Sequence, residues 1–109
     1  MALPFTNLTP TPLVALNAVS TVLRPTALNN IKELTFYLVF SAGTDAGAVQ
    51  CEEAPTVDYA GTWAPIGSAV TFGNDAVKTV KASGVNMFAR ARVSTLLTNG
   101  TVTVYAIGR

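Results

Sequence analysis

The sequence lacks histidine altogether and contains a single cysteine. Histidine is the usual general base for a serine or cysteine nucleophile and the commonest ligand of zinc, so its absence removes the usual forms of both kinds of site. One cysteine can form neither an internal disulfide nor a thiolate metal cluster. Glycine-rich phosphate-binding loops are also missing. We therefore predict a protein that is not an enzyme, with no catalytic residues, no cofactor and no metal site.

Charge is scarce as well. Seven Lys and Arg residues and six Asp and Glu residues make up 12% of the 109 residues, against about 25% in ordinary soluble domains. The net charge is +1, and the pair Arg90 and Arg92 is too small a basic patch for nucleic acid. So few charges predict burial of surface against protein partners; the alternative is a surface rich in Ser, Thr, Asn and Gly. We expect a homo-oligomer that binds no nucleic acid.

Long apolar runs are missing too. The longest, from Leu34 to Phe40, is far shorter than the roughly 20 residues that cross a bilayer. The N-terminus does not have the positive region of a signal peptide, because the first charged residue is Arg24. We therefore expect a protein that is made in the cytoplasm and does not enter a membrane.

Residues 1–12 contain three prolines and no charge. Proline lacks an amide donor and favours extended backbone, so this composition predicts an extended N-terminal arm ahead of one domain over residues 13–109. Leu3, Phe5 and Leu8 are the large apolar groups of the arm. They either pack on the domain's own sheet or reach a neighbouring subunit. The second alternative makes them candidate interface residues and predicts that the domain folds without the arm.

The remaining residues are patterned for β-strands. Residues 31–40 show the clearest alternation, and a helix over residues 27–34 is the weaker alternative. One face of this strand carries Leu34, Phe36, Leu38 and Phe40. Further strands are predicted over residues 13–16, 19–23, 48–54, 68–72, 76–82, 87–95 and 101–107.

Asn99-Gly100 separates the last two predicted strands and is a strong hairpin signal. Several short strands with turns between them predict a single all-β domain. The fold expected is an antiparallel β-sandwich of the jelly-roll or immunoglobulin-like type.

The acidic residues offer little chemistry. Glu52 and Glu53 are neighbours on a predicted strand, so their side chains point to opposite faces and cannot act together as a glycosidase pair would. Asp45 and Asp58 could supply oxygen ligands to calcium, but their spacing matches no ligand motif.

Four other residues are singled out by type and position. Arg90 and Arg92 share one face of a predicted strand, which favours cross-strand pairs with carboxylates. Cys51 is predicted to be a buried small hydrophobe. Tyr59 and Trp63 lie in the one aromatic loop, where they either cap the core or serve as exposed anchors for a partner or a sugar.

These features follow a definite order from about Asn30 to the C-terminus. A hydrophobic strand and a glycine-containing loop precede a strand that carries Glu52. A turn with Asp and Trp63 follows, then a strand with alternating Arg90 and Arg92, and a closing Thr/Val strand. The matching segments are IKELTFYLVFSAGTDAGAVQCEEAPTVDYAGTWAPIG and MFARARVSTLLTNGTVTVYAIGR. In this order the chain resembles the small β-sandwich virion proteins of tailed bacteriophages.

The resemblance implies a structural, non-enzymatic role in a virion. It favours a capsid decoration (cement) subunit whose partners are the major capsid protein or other virion subunits, with a tail or neck component as the alternative. It also implies a trimer, because shell decoration often occupies local threefold axes. A rival of another class is a carbohydrate-binding or adhesion module that uses Tyr59 and Trp63.

Overall fold

The computed structural model describes residues 3–24, 31–74, 76–83 and 87–109. These ranges contain β-strands and no helix, which confirms the all-β prediction. The strands are β1 (Leu3–Asn7), β2 (Glu33–Phe40), β3 (Ala46–Ala54), β4 (Ala64–Pro65), β5 (Val70–Thr71), β6 (Val77–Ser83), β7 (Phe88–Thr98) and β8 (Val102–Gly108). Of the helix considered over residues 27–34, residues 27–30 lie outside the described ranges, and Glu33 and Leu34 belong to β2.

Two antiparallel sheets form the predicted sandwich. The first has the strand order β1-β8-β2-β6. In the second, β3 pairs with β7 along one edge and with the short β4 and β5 along the other. The accessible surface is 5680 Å², close to the roughly 5,800 Å² expected of a compact monomer of this mass.

The core lies between the two sheets and follows the alternation in the sequence. The first sheet contributes Leu34, Phe36, Leu38, Phe40, Val102, Val104 and Ala106, and the second contributes Val49, Cys51, Ala89, Ala91 and Val93. Cys51 is the buried small residue that the sequence predicted. Burial, and secondarily the negative charge of Glu52, raises the pKa of its thiol to about 12, so the thiol stays neutral.

The N-terminal arm belongs to the first sheet. β1 pairs with β8 as an edge strand, the position in which a proline without an amide donor is tolerated. Leu3 and Leu8 are buried in the domain's own core, whereas Phe5 is 57% exposed. The two leucines therefore take the first of the two alternatives predicted for them. Most of the arm predicted over residues 1–12 is thus in contact with the domain through the β1–β8 pair and the two leucines.

The predicted hairpin at Asn99-Gly100 is wrong, although the turn is present. β7 pairs with β3 in the second sheet and β8 pairs with β1 and β2 in the first. The turn therefore carries the chain from one sheet to the other. The connection between β2 and β3, residues 41–45, makes the same crossing beside it.

The two crossings hold each other by hydrogen bonds. Ser41 N donates to Thr101 O at 2.9 Å, and Thr101 N donates to the Ser41 hydroxyl at 2.9 Å. Asn99 adopts a left-handed φ of 60° and donates from its side chain to Asp45 at 2.7 Å. A Cβ at Gly100 would collide with the Thr44 side chain. This contact between crossings replaces the strand pairing that a hairpin would have made.

Candidate functional site

A cluster of charged side chains lies on the outer face of the second sheet. Val49 and Cys51 of β3 point into the core, so Gln50 and Glu52 project outward from the same strand. In the antiparallel register Glu52 lies opposite Arg90 of β7, and Gln50 lies opposite Arg92. The alternation of β7, with alanine inward and arginine outward, thus places both guanidinium groups beside one carboxylate.

Glu52 accepts a hydrogen bond from each arginine. Arg90 Nε donates to Oε2 at 2.7 Å and Arg92 Nε donates to Oε1 at 3.1 Å. The glutamate is only 2% exposed, whereas the arginine side chains are 18% and 29% exposed. A buried carboxylate needs charge-assisted partners of this kind to offset its desolvation. The predicted cross-strand pairing of the arginines with a carboxylate is confirmed.

Trp63 covers this cluster from the loop between β3 and β4. The guanidinium carbon of Arg90 lies 3.8 Å from the centre of the Trp63 ring, a stacked cation–π geometry. The indole Nε1 donates to the Tyr59 carbonyl at 3.0 Å, which holds the loop closed. Trp63 is 6% exposed and is not part of the core cluster between the sheets. One face of the Trp63 ring is therefore covered by Arg90, and the side chain is buried against the outer face of the second sheet.

The N-terminal segment supplies the last wall of the site. A turn closed by Ala18 N and Ala15 O at 3.0 Å places Asn17 in a left-handed conformation with φ of 67°, which asparagine tolerates better than most residues. Its side-chain oxygen accepts from Arg92 Nη1 at 3.0 Å. The predicted strands 13–16 and 19–23 are irregular here: Leu13 forms a single bridge to β8, and Val19 and Leu23 form single bridges to β7.

Together these residues border an open cleft of about 630 Å³. Two arginines and one glutamate line it, so the described lining carries one positive charge in excess. Arg90 Nη1 and Nη2 and Arg92 Nη2 make no hydrogen bond to a described residue. The cleft thus combines a net positive charge with guanidinium donors that remain available. Residues 60–62 form its rim.

A second surface lies on the outer face of the first sheet. Phe5 stacks on Tyr105 with ring centres 4.8 Å apart, and Tyr37 lies 5.6 Å from Phe5. Tyr37 is directly opposite Tyr105 in register, and Val39 is opposite the exposed Val77. We call these five side chains, Phe5, Tyr37, Val39, Val77 and Tyr105, the aromatic face.

The predicted interface residues are thus divided among three places. Leu3 and Leu8 lie in the core, Phe5 lies on the aromatic face, and Tyr59 and Trp63 lie beside the charged cleft. Of the five, only Phe5 and Tyr59 are exposed. Asn17 was not predicted as a site residue, because its contact with Arg92 spans 75 positions and has no local signal.

The calcium alternative gains no geometric support. Asp45 accepts from the Thr98 hydroxyl and the Asn99 amide. Within the described ranges, no three His, Cys, Asp or Glu residues are placed to hold a metal ion. Among the same residues, no helix is long and apolar enough to cross a membrane.

Comparison with known proteins adds no family. No protein-family model matches the chain, and no curated protein matches it significantly in sequence.

Proposed function

We propose that the chain is a non-enzymatic structural subunit of a viral particle, in the role of a capsid decoration (cement) protein. The aromatic face is the observation that carries this proposal. The exposed face of an antiparallel sheet normally presents polar side chains to water. Here the stacked rings of Phe5 and Tyr105, the tilted ring of Tyr37 and two valines lie on that face. Covering them with a partner would contribute roughly 25 cal/mol per Å² of apolar area before the costs of association.

The small number of charged residues supports the same proposal. With 12% charged residues, the surface has little to keep two copies or two different subunits apart. The expected partners are the major capsid protein or other virion subunits, and the expected location is the virion. The preference for a trimer comes from the resemblance to phage virion proteins alone.

A tail or neck component is the alternative within the same class. Both roles need an apolar contact surface and no catalytic residue, so the two differ in which subunit covers the aromatic face. The position of the coding gene separates them. A neighbouring major capsid gene supports decoration, and a position among tail genes would overturn it in favour of the tail role.

The carbohydrate-binding alternative receives less support from the site. Sugar rings stack on open aromatic faces, but one face of Trp63 is occupied by Arg90 and the residue is 6% exposed. Tyr59 remains exposed next to it. A saturable change in Trp63 fluorescence on titration with glycans would favour this alternative over the virion role.

Self-association provides the direct biophysical test. Sedimentation velocity at micromolar concentration should give a species larger than the 11.4 kDa chain, with a trimer as the expected state. Val77→Ser should shift this species toward monomer, because Val77 is 60% exposed on the aromatic face. Val57→Ser, the same change in the loop beside Tyr59, is the matched control and should leave the distribution unchanged. A chain that sediments as a monomer counts against the proposal.

A further inference from the structure

The charged cleft carries an excess positive charge that the proposed role of the aromatic face does not require. One carboxylate, Glu52, neutralises only one of the two guanidinium charges next to it. The second positive charge lies at a partly exposed position, since the Arg92 side chain is 29% exposed. A cation held rigidly at the edge of a low-dielectric site attracts an anion more strongly than a mobile surface cation does.

The arginines are also held in place before any ligand arrives. Each Nε is bound to Glu52, Arg92 Nη1 is bound to Asn17, and the Arg90 guanidinium is stacked on Trp63. Arginine otherwise loses considerable side-chain entropy when it is ordered on binding. Here that ordering has taken place in the fold, and Arg90 Nη1 and Nη2 and Arg92 Nη2 make no hydrogen bond to a described residue, so they can donate to a ligand.

We infer that this cleft binds a carboxylate, and that the carboxylate is an acidic side chain of a partner polypeptide. Guanidinium groups match the planar geometry of a carboxylate with two parallel donors. The excess charge of the lining is +1, which a singly charged carboxylate balances. A doubly charged phosphate would leave a negative charge beside the buried Glu52. The assignment to a partner polypeptide depends on the proposed function, whereas binding of a carboxylate by the cleft does not.

Trp63 provides the reporter for a direct test. It is the only tryptophan of the chain and it contacts Arg90, so an anion on the guanidinium groups should change its fluorescence. The probes are a short blocked peptide with one glutamate, the same peptide with glutamine, and acetate, each titrated against the full chain. We expect a saturable response to the glutamate peptide, a weaker one to acetate and none to the glutamine peptide.

One variant and one control separate binding from general instability. Arg92→Gln should weaken binding of the glutamate peptide by roughly tenfold or more, the effect of losing charge-assisted hydrogen bonds. Lys81→Gln changes the charge equally on the other sheet and should leave binding unchanged. Each titration is run below the melting transition of its variant.

The possible results distinguish the parts of the inference. A response to the glutamine peptide equal to that of the glutamate peptide, or no saturable response to any probe, overturns carboxylate binding. Unchanged binding by Arg92→Gln overturns it as well, because the ligand would then not be held by the donors of the cleft. Equal affinity for acetate and the glutamate peptide would overturn the partner polypeptide as the source. None of these results depends on self-association, which tests the proposed function separately.

Discussion

Arg90 lies directly opposite Glu52 across the β3–β7 pair and stacks its guanidinium group on Trp63 at 3.8 Å. One side chain thus joins the outer face of a sheet to the loop that covers it. Arginine suits this position because its planar group can donate in the plane to a carboxylate while an aromatic ring covers its face. A lysine would keep the charge but could not make both contacts with the same geometry.

The first prediction concerns the buried carboxylate. Glu52→Gln leaves two partly buried guanidinium groups without a negative partner, so we expect a loss of about 1–3 kcal/mol in the free energy of unfolding. Glu53→Gln is the matched control, because Glu53 is on the other side of the strand and pairs with no described cation. Urea unfolding of both variants measures the difference. Equal effects would show that the cluster contributes nothing specific to stability.

The second prediction concerns the N-terminal arm. Leu8→Ala should cost about 2–4 kcal/mol, because Leu8 is buried in the core and its truncation leaves a cavity. Phe5→Ala on the same arm should have a small effect, since Phe5 is largely exposed. Deleting residues 1–12 should lower the melting temperature strongly, in contrast to the expectation from composition. A truncated chain with an unchanged melt would contradict the structure's placement of the arm.

The third prediction concerns acid sensitivity. Hydrogen bonds from the Thr98 hydroxyl and the Asn99 amide hold the pKa of Asp45 below the ordinary value of an aspartate. The folded-state pKa is lowered, so this contribution to stability is present above the unfolded pKa and is lost as the pH falls through the folded value. Asp45→Asn should therefore destabilise the protein most above about pH 5, with a smaller difference near pH 2.

Urea midpoints of the unmodified chain and the variant across this range measure the effect. Asp58→Asn is the control, because no described residue donates a side-chain hydrogen bond to Asp58. If the destabilisation by Asp45→Asn were the same at both ends of the range, the charge of Asp45 would have no part in it.

The fourth prediction concerns the thiol. Burial raises the pKa of Cys51 from 9.0 to about 12, so the native protein should not react with a disulfide reagent at pH 8, whereas the denatured chain should react fully. The pKa of this thiol is higher in the folded than in the unfolded chain. The free energy of unfolding should therefore fall as the pH rises above about 9, because there the thiol ionises only in the unfolded chain. Absorbance of the released thiolate measures the reaction, and rapid labelling of the native protein would contradict the burial.

The local pattern of β2 predicted its structure well. Leu34, Phe36, Leu38 and Phe40 alternate with period two, and all four are buried. The strands around residues 48–54, 76–82, 87–95 and 101–107 also appear, with shifted ends. β1 and β4 were missed because each contains a proline, which weakens the local strand signal.

The site was predicted only in part. The outward position of Glu52, Arg90 and Arg92 follows from alternation and was foreseen as cross-strand pairing. The stacking of Trp63 on Arg90 was not, since it depends on the path of the loop between β3 and β4. Asn17 was not identified either, because it meets Arg92 only when the N-terminal segment lies along β7.

The sequence by itself determined the strand class, the inward set of apolar residues and the absence of histidine chemistry, because each depends on residue type and on a period of two along the chain. Tertiary structure decided which sheet each strand joins. Asn99-Gly100 has the local chemistry of a hairpin, yet β7 pairs with β3 and β8 with β2. Which strands pair depends on the burial of whole strand faces that are far apart in sequence. No short segment contains that information.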